Sequence, residues 1–190
     1  LWTGSSDGAD LVSGTDFTAW SNAASTPIED VHNQQTRIEA NTGFLPNKLV
    51  INRQVWFDLK NHPDVVDRVK YTSGEAVTQD VVARLLNVDE VLVAGGVRNA
   101  AAEGLTANST YIAGDEALLV YAASSPSLMN PSGGYTFVWN GLIGSNMGQV
   151  IENYRDEDAV SDIVRIRGAW AQKRIAPGVG VLFSNCSTRI

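Results

Sequence analysis

Cysteine, histidine and methionine are scarce in this chain: one, two and two among 190 residues. A single thiol, Cys186, cannot close an internal disulfide, so the fold does not rest on a disulfide framework. The two histidines, His32 and His62, and the lone cysteine form no His-Glu-x-x-His or Cys-x-x-Cys pattern, and no Gly-x-Ser-x-Gly stands anywhere. Zinc sites and the nucleophile elbow therefore lose their usual sequence support. Charge is sparse too, at 18% of residues, below the roughly 25% of an ordinary globular chain. Acids outnumber bases 21 to 14, for a formal net charge of −7. That balance argues against a dedicated nucleic-acid binder, which needs a basic face to neutralise phosphates.

A long uncharged stretch, the 35 residues from Ala117 to Ile151, has the length of a membrane span. Pro126, Pro131, Gly133, Gly134, Gly141, Gly144 and Gly148 break it into strand-sized pieces, so a spanning helix is excluded. Its lack of charge then predicts burial, and burial against other copies of the chain is the expectation. Leu1 to Gly14 is polar and rich in Gly, Ser and Asp, without the apolar core of a signal peptide. With Leu1 in place of methionine, the chain reads as processed or as a fragment.

The remainder has the material for a core. Apolar residues make up 44%, and a chain of this length buries roughly 70% of its unfolded surface. Thr26-Pro27-Ile28-Glu29 combines a capping hydroxyl, proline at the first helical position and a glutamate placed to reach back to the cap. Ile28, Val31, Gln35 and Ile38 continue one helical stripe, and Gly43 supplies the stop, so a helix is predicted from Thr26 to about Ala40. Lys48 to Ile51 reads as a buried strand. Three short helices follow, with apolar faces Val55/Trp56/Leu59, Val65/Val66/Val69 and Val81/Val82/Leu85/Leu86. Val91–Ala94 and 117–122 read as further strands, which makes the stretch from about 47 to 123 a mixed α/β unit. The last third is strand-rich, at Tyr135–Trp139, Val150–Arg155, 162–174 and Val179–Phe183. In 162–174, Asp162, Val164, Ile166, Trp170 and Gln172 share one face and Arg165, Arg167 and Lys173 the other, which predicts one packed face and one basic face.

Candidate chemistry is thin. His32 reads as a helix-edge histidine and His62, before Pro63, as a turn histidine. Gly95-Gly96 follows a strand, but Val97 and Ala100 occupy the positions where a dinucleotide fingerprint needs glycine. A tight turn is the reading. Asp156-Glu157-Asp158 offers carboxylates without the glycine and distal glutamate of a calcium loop, so a solvated strand end or a charge contact with an adjacent copy is expected. Arg165, Arg167, Lys173 and Arg174 read as an exposed strand surface paired with those acids, or as a surface facing enclosed nucleic acid without sequence preference. The sequons at Asn108 and Asn185 are read as chance matches. No catalytic, cofactor-binding or metal-binding residue is assigned.

Several segments in a fixed order carry a resemblance. They are Thr42-Gly43-Phe44-Leu45-Pro46-Asn47-Lys48-Leu49-Val50-Ile51, Asn61-His62-Pro63-Asp64-Val65-Val66-Asp67-Arg68-Val69-Lys70-Tyr71, Gly134 to Trp139, Tyr154 to Glu157, and Ser161 to Arg167. Together, over about residues 16 to 185, they resemble the major capsid proteins of tailed bacteriophages. The resemblance implies an α+β fold of the Hong Kong 97 type, with a peripheral domain (a spine helix plus long antiparallel strands) and an axial α/β domain. In that scheme residues 1–25 are the end of an extended loop and a lead-in strand. Residues 26–46 and 146–190 form a discontinuous peripheral domain, with the Thr26 helix as its spine, and 47–145 the axial domain.

Only about 25 residues precede the Thr26 helix, so the family's N-terminal arm and most of its extended loop are missing from this stretch. Lys48, Lys60, Lys70 and Lys173 match no crosslinking position. The resemblance implies a non-enzymatic head subunit, located in the virion and assembled in the host bacterial cytoplasm. Its partners would be copies of itself, in pentamers and hexamers, around DNA enclosed without sequence-specific binding. Contacts around the symmetry axis are expected from loops in 117–145, and lateral contacts from the outer face of the Thr26 helix with 156–174. A nanocompartment shell of the encapsulin type and a small α/β enzyme or ligand-binding domain with a pocket near 94–104 are the competing readings.

Overall fold

The computed structural model describes residues 10–70, 77–127, 129–139 and 149–188. Most of the polar lead, Tyr71 and residues 140–148 of the uncharged stretch lie outside them, as does the domain boundary expected at residue 146. The described chain is an α+β structure in two compact units, one of residues up to Gly133 together with those from Ala176 on, the other Gly134–Ile175.

The first unit contains strand β1 (Asp10–Val12), helix α1 (Pro27–Thr42), β2 (Lys48–Asn52), α2 (Arg53–Asn61), α3 (Pro63–Lys70), α4 (Gln79–Leu85) and β3 (Glu90–Ala94). A small hairpin, β4 (Val97–Asn99) with β5 (Ser109–Tyr111), and then β6 (Ala117–Val120) follow. The second unit holds β7 (Gly134–Val138), β8 (Gln149–Asp156), β9 (Ser161–Gly168) and β10 (Trp170–Arg174), after which β11 (Gly180–Ser184) returns to the first unit. Five strands make one sheet in the order β1-β11-β6-β2-β3, with both outer pairs parallel and both inner pairs antiparallel.

Register explains the core. Leu49 stands opposite Leu119, and Leu119 opposite Val181, so one row of apolar side chains crosses three strands, all fully buried. Each such side chain contributes about 1.5–3 kcal/mol by leaving water. Ile28, Val31, Gln35 and Ile38 of α1 are buried as the stripe predicts. The buried Gln35 is tolerated because its amide nitrogen donates to the Leu86 carbonyl at 2.8 Å, which satisfies a helix-end acceptor as well.

The α1 termini divide. Gly43 adopts φ 75°, a left-handed stop that glycine takes without a Cβ clash, and its N–H reaches the Glu39 carbonyl at 2.8 Å. At the other end Thr26 makes no side-chain cap, contrary to the capping box expected. Glu29 instead forms an ion pair with Arg68 of α3 at 2.6 Å, so its side chain is engaged there.

The α1 residues 28, 31 and 38 share one core with β2, α2, α3 and β11, so residues 26–46 and 176–188 lie in the same unit as 48–127. Two aromatic residues ahead of α1 join this core. Phe17 and Trp20 are buried against Phe183, with ring centroids 5.5 and 5.2 Å from it. The uncharged stretch begins inside this sheet: Ala117 and Leu119 are fully buried between β11 and β2. At its start, then, the missing charge reflects an interior strand rather than a surface buried against other copies.

Candidate assembly surfaces

Unit Gly134–Ile175 is built from two antiparallel pairs, β7 with β10 and β8 with β9. Trp139 donates its N–H to the Ala169 carbonyl at 3.1 Å, which extends the β7–β10 ladder one step toward β8–β9. Side chains opposite each other in an antiparallel pair share a face. Ile151 opposes Ile166, Asn153 opposes Val164 and Arg155 opposes Asp162. On the β7–β10 pair, Val138 opposes Trp170. The other face of β8–β9 carries Val150, Glu152, Tyr154, Ile163, Arg165 and Arg167.

The predicted alternation is present, yet its apolar face is not packed. Ile151, Val164, Ile166 and Trp170 are 70%, 66%, 71% and 60% exposed. The physical reason is that a two-stranded ribbon has no second layer; a third strand or a covering helix is what buries such a face. The opposite face is basic only in part. Glu152 pairs across the ladder with Arg167 at 3.2 Å and Arg165 at 3.8 Å, and Arg165 also donates to the Tyr154 hydroxyl at 2.8 Å and lies over its ring. The partner of these arginines is therefore Glu152, not the 156–158 acids as expected. Those acids serve the turn. Asp156 Oδ1 accepts from the N–H groups of Asp158 and Ala159, while Arg155 bridges Glu157 and Asp162 at 3.1 Å each. Exposed pairs like these contribute about 0–1 kcal/mol each. Gly168 makes room for the ribbon's indole: a Cβ built there would run into the Trp170 ring.

The remaining candidates are placed as follows. His32 Nδ1 meets the Ile28 carbonyl of its own helix at 2.8 Å. His62 is buried in the α2–α3 turn; its Nδ1 accepts from the Asp64 N–H, so the proton sits on Nε2, which faces the Asn22 carbonyl and the Ser25 hydroxyl at 3.0 Å. Cys186 is buried and free, and burial, aided by nearby Asp115, pushes its thiol well above the usual range. Gly95 and Gly96 do turn the chain, leading into the exposed β4–β5 hairpin rather than a cleft; residues 95–100 are all exposed. Asn108 lies in the loop before β5 and Asn185 in the turn after β11, where its φ is 59°. In the described part of the uncharged stretch after β6, Met129 and Trp139 are 88% and 63% exposed. Among the described residues, no helix is long and apolar enough to cross a membrane.

One unit is thus a well-packed α+β core and the other leaves apolar strand surface exposed, and the fold is similar to that of phage-related proteins of known structure. A crystal structure of a phage-related protein from Bordetella bronchiseptica RB50 matches it with a TM-score of 0.77 at 26% identity, over 94% of this chain and 56% of that one. A structure from Mycobacterium phage Che8 shares the fold, with a TM-score of 0.51 at 15% identity over 96% and 56% of the two chains. In sequence, the chain is 25% identical over 177 residues to the major capsid protein of Burkholderia phage BcepMu, which covers 88% of this chain and 52% of that protein. The chain spans about half the length of the curated relative it matches. No family model matches it.

Proposed function

We propose that this chain is part of a major capsid subunit of a tailed phage or prophage, with the Hong Kong 97 fold, assembled in the bacterial cytoplasm. It joins copies of itself into pentamers and hexamers around a DNA genome held without sequence recognition. The observation that carries this reading is the match to a phage major capsid protein along nearly the whole chain. The exposed apolar surfaces support it, because contiguous apolar area left open on a folded chain marks an interaction site. In this reading residues 26–46 and 146–190 form the peripheral domain and 47–145 the axial domain, and the exposed strands within Gly134–Ile175 reach neighbours. Each contact is modest, and a closed shell makes the sum cooperative.

Expression of the full-length gene product and electron microscopy test the proposal. Closed shells containing nucleic acid are the expected result. A full-length protein that stays monomeric at high concentration overturns it, and nucleic-acid-free shells loaded with an enzyme would point to a nanocompartment instead.

A further inference from the structure

One loop tip and one cleft of the first unit complement each other. The tip belongs to the β4–β5 hairpin. Asn99 Oδ1 accepts from the N–H groups of Ala101 and Asn108 at 3.1 and 2.9 Å, and the Leu105 N–H closes a turn on the Ala102 carbonyl at 3.2 Å. Gly104 takes φ 82° inside that turn, so the loop is held in shape by its own bonds. It presents Leu105, 71% exposed, with the exposed Glu103 two residues before it. The cleft, of about 490 Å³, is lined by Leu45, Val88 and Tyr121 together with Arg84 and Asp89. Its walls are fixed as well. The Asn47 side-chain amide donates to the Ala122 carbonyl at 3.0 Å and accepts from the Ala122 N–H at 2.8 Å, while the Asn47 backbone carbonyl accepts from the Asp89 N–H at 2.8 Å.

We propose that the Leu105 tip of one copy enters the Arg84 cleft of the next, a head-to-tail contact in which Glu103 meets Arg84. Both halves of the contact stand on this chain, and both charges are available. Among the described residues neither Glu103 nor Arg84 forms an ion pair or a side-chain hydrogen bond. Withdrawn from water together, a guanidinium and a carboxylate make a charge-assisted hydrogen bond. Leu105 leaves solvent against Leu45, itself 40% exposed, and Val88. Asp89, the other charge in the lining, is answered by the Thr106 hydroxyl next to Leu105, a donor rather than a second acid. Because the tip is already ordered, docking costs it little freedom. Topology sets the direction. β3 begins at Glu90, beside the cleft, and ends at Ala94, before the hairpin, so cleft and hairpin extend from opposite ends of one strand. Copies joined this way follow one another, and such a heterologous contact closes into a ring where the rotation allows. This inference rests on the reading of the chain as a self-associating shell subunit and specifies one of its contacts.

The test is complementation between two variants, with association of the chain followed by sedimentation equilibrium. The parent is expected to grow beyond dimers as concentration rises. Leu105→Ser removes the tip and Arg84→Glu spoils the cleft, and each is expected to weaken self-association at least about tenfold. Mixed in equal amounts, the two variants are expected to form dimers that grow no further, because the intact tip of one enters the intact cleft of the other and no second contact remains. Adding Glu103→Arg to Arg84→Glu is expected to restore association, since the exchanged charges attract in the same place. Unchanged circular dichroism and melting temperature show that these exposed substitutions leave the fold intact. A parent that is monomeric up to millimolar concentration, or that stops at dimers, overturns the proposal. So does a Leu105→Ser variant that associates like the parent, or a mixture that stays monomeric. Shell formation by the full-length product separates the two readings. Normal shells from full-length protein carrying both Leu105→Ser and Arg84→Glu overturn the tip contact and leave the capsid role standing. Head-to-tail association without shells under any condition overturns the capsid role alone.

Discussion

The five-stranded sheet and the two-stranded ribbon are made of similar residues and end in opposite environments. Val181 and Phe183 of β11 are fully buried, whereas Val164 and Ile166 of β9 are 66% and 71% exposed. Strand composition does not separate them. What differs is the presence of a neighbour: β11 lies between β1 and β6 in a sheet that shares its core with α1, α2 and α3, while β9 has β8 on one edge. Alternating apolar residues state that one face of a strand is to be covered. They do not state whether the cover belongs to the same chain.

The contrast can be broken most forcefully at Phe183. Its ring touches Phe17 and Trp20 in the core, and Phe183→Ala is expected to cost about 3–5 kcal/mol in urea unfolding; a loss below 1 kcal/mol would mean that this cluster is far looser than the geometry shows. Next comes Gln35→Ala. Removing the amide strands the Leu86 carbonyl in the interior, for an expected loss of about 2 kcal/mol by the same measurement.

A smaller, pH-dependent effect belongs to Asp30. Burial raises its carboxyl above the ordinary 3.8, against the Trp20 indole hydrogen bond that lowers it, with Glu29 adding to the rise. A raised acid binds its proton more readily in the folded state. Its contribution is therefore fully present below the unfolded value and is lost as pH rises through the folded one. Asp30→Asn keeps an oxygen for Trp20 Nε1 and removes the charge, so the variant is expected to gain melting temperature relative to the parent near neutral pH. That gain should shrink as pH falls toward 3.8, and a difference that is the same at both ends would sink the assignment. Smallest of all is Ile166→Ala on the ribbon, expected to change the unfolding free energy of the isolated chain by less than about 0.5 kcal/mol. A core-like loss there would show that the face is covered within one copy.

Much of the first unit was legible in the sequence because its signals are local. The stripe at 28, 31, 35 and 38, the Gly43 stop and the β-branched run at 49–51 are each set by spacing within a few residues. Phe17 and Trp20 were missed for the opposite reason: they sit in a Gly/Ser/Asp-rich stretch with no period, and what buries them is Phe183, far along the chain. The β4–β5 hairpin escaped because Val-Arg-Asn and Ser-Thr-Tyr are too short to show alternation. Thr26 has the residue type of a cap without the geometry: its backbone stands at φ −125°, ψ 68°, and its side chain makes no capping hydrogen bond. On the ribbon the two faces were visible from residue 162 onward, but the partner of Arg165 and Arg167 was not, because cross-strand register decides that Glu152 stands opposite Arg165.

The placement of β11 has a consequence for the order in which the chain is made. Its neighbours β1 and β6 leave the ribosome long before it, yet β1 has no other partner in the sheet. Until residue 184 emerges, β1 is unpaired and β6 presents an open edge, the kind of edge that recruits strands from other molecules. Synthesis of the whole ribbon falls within that interval. The sheet is thus completed by a late insertion rather than built outward strand by strand, and a chain halted before Gly180 would be left with an exposed seam through its core.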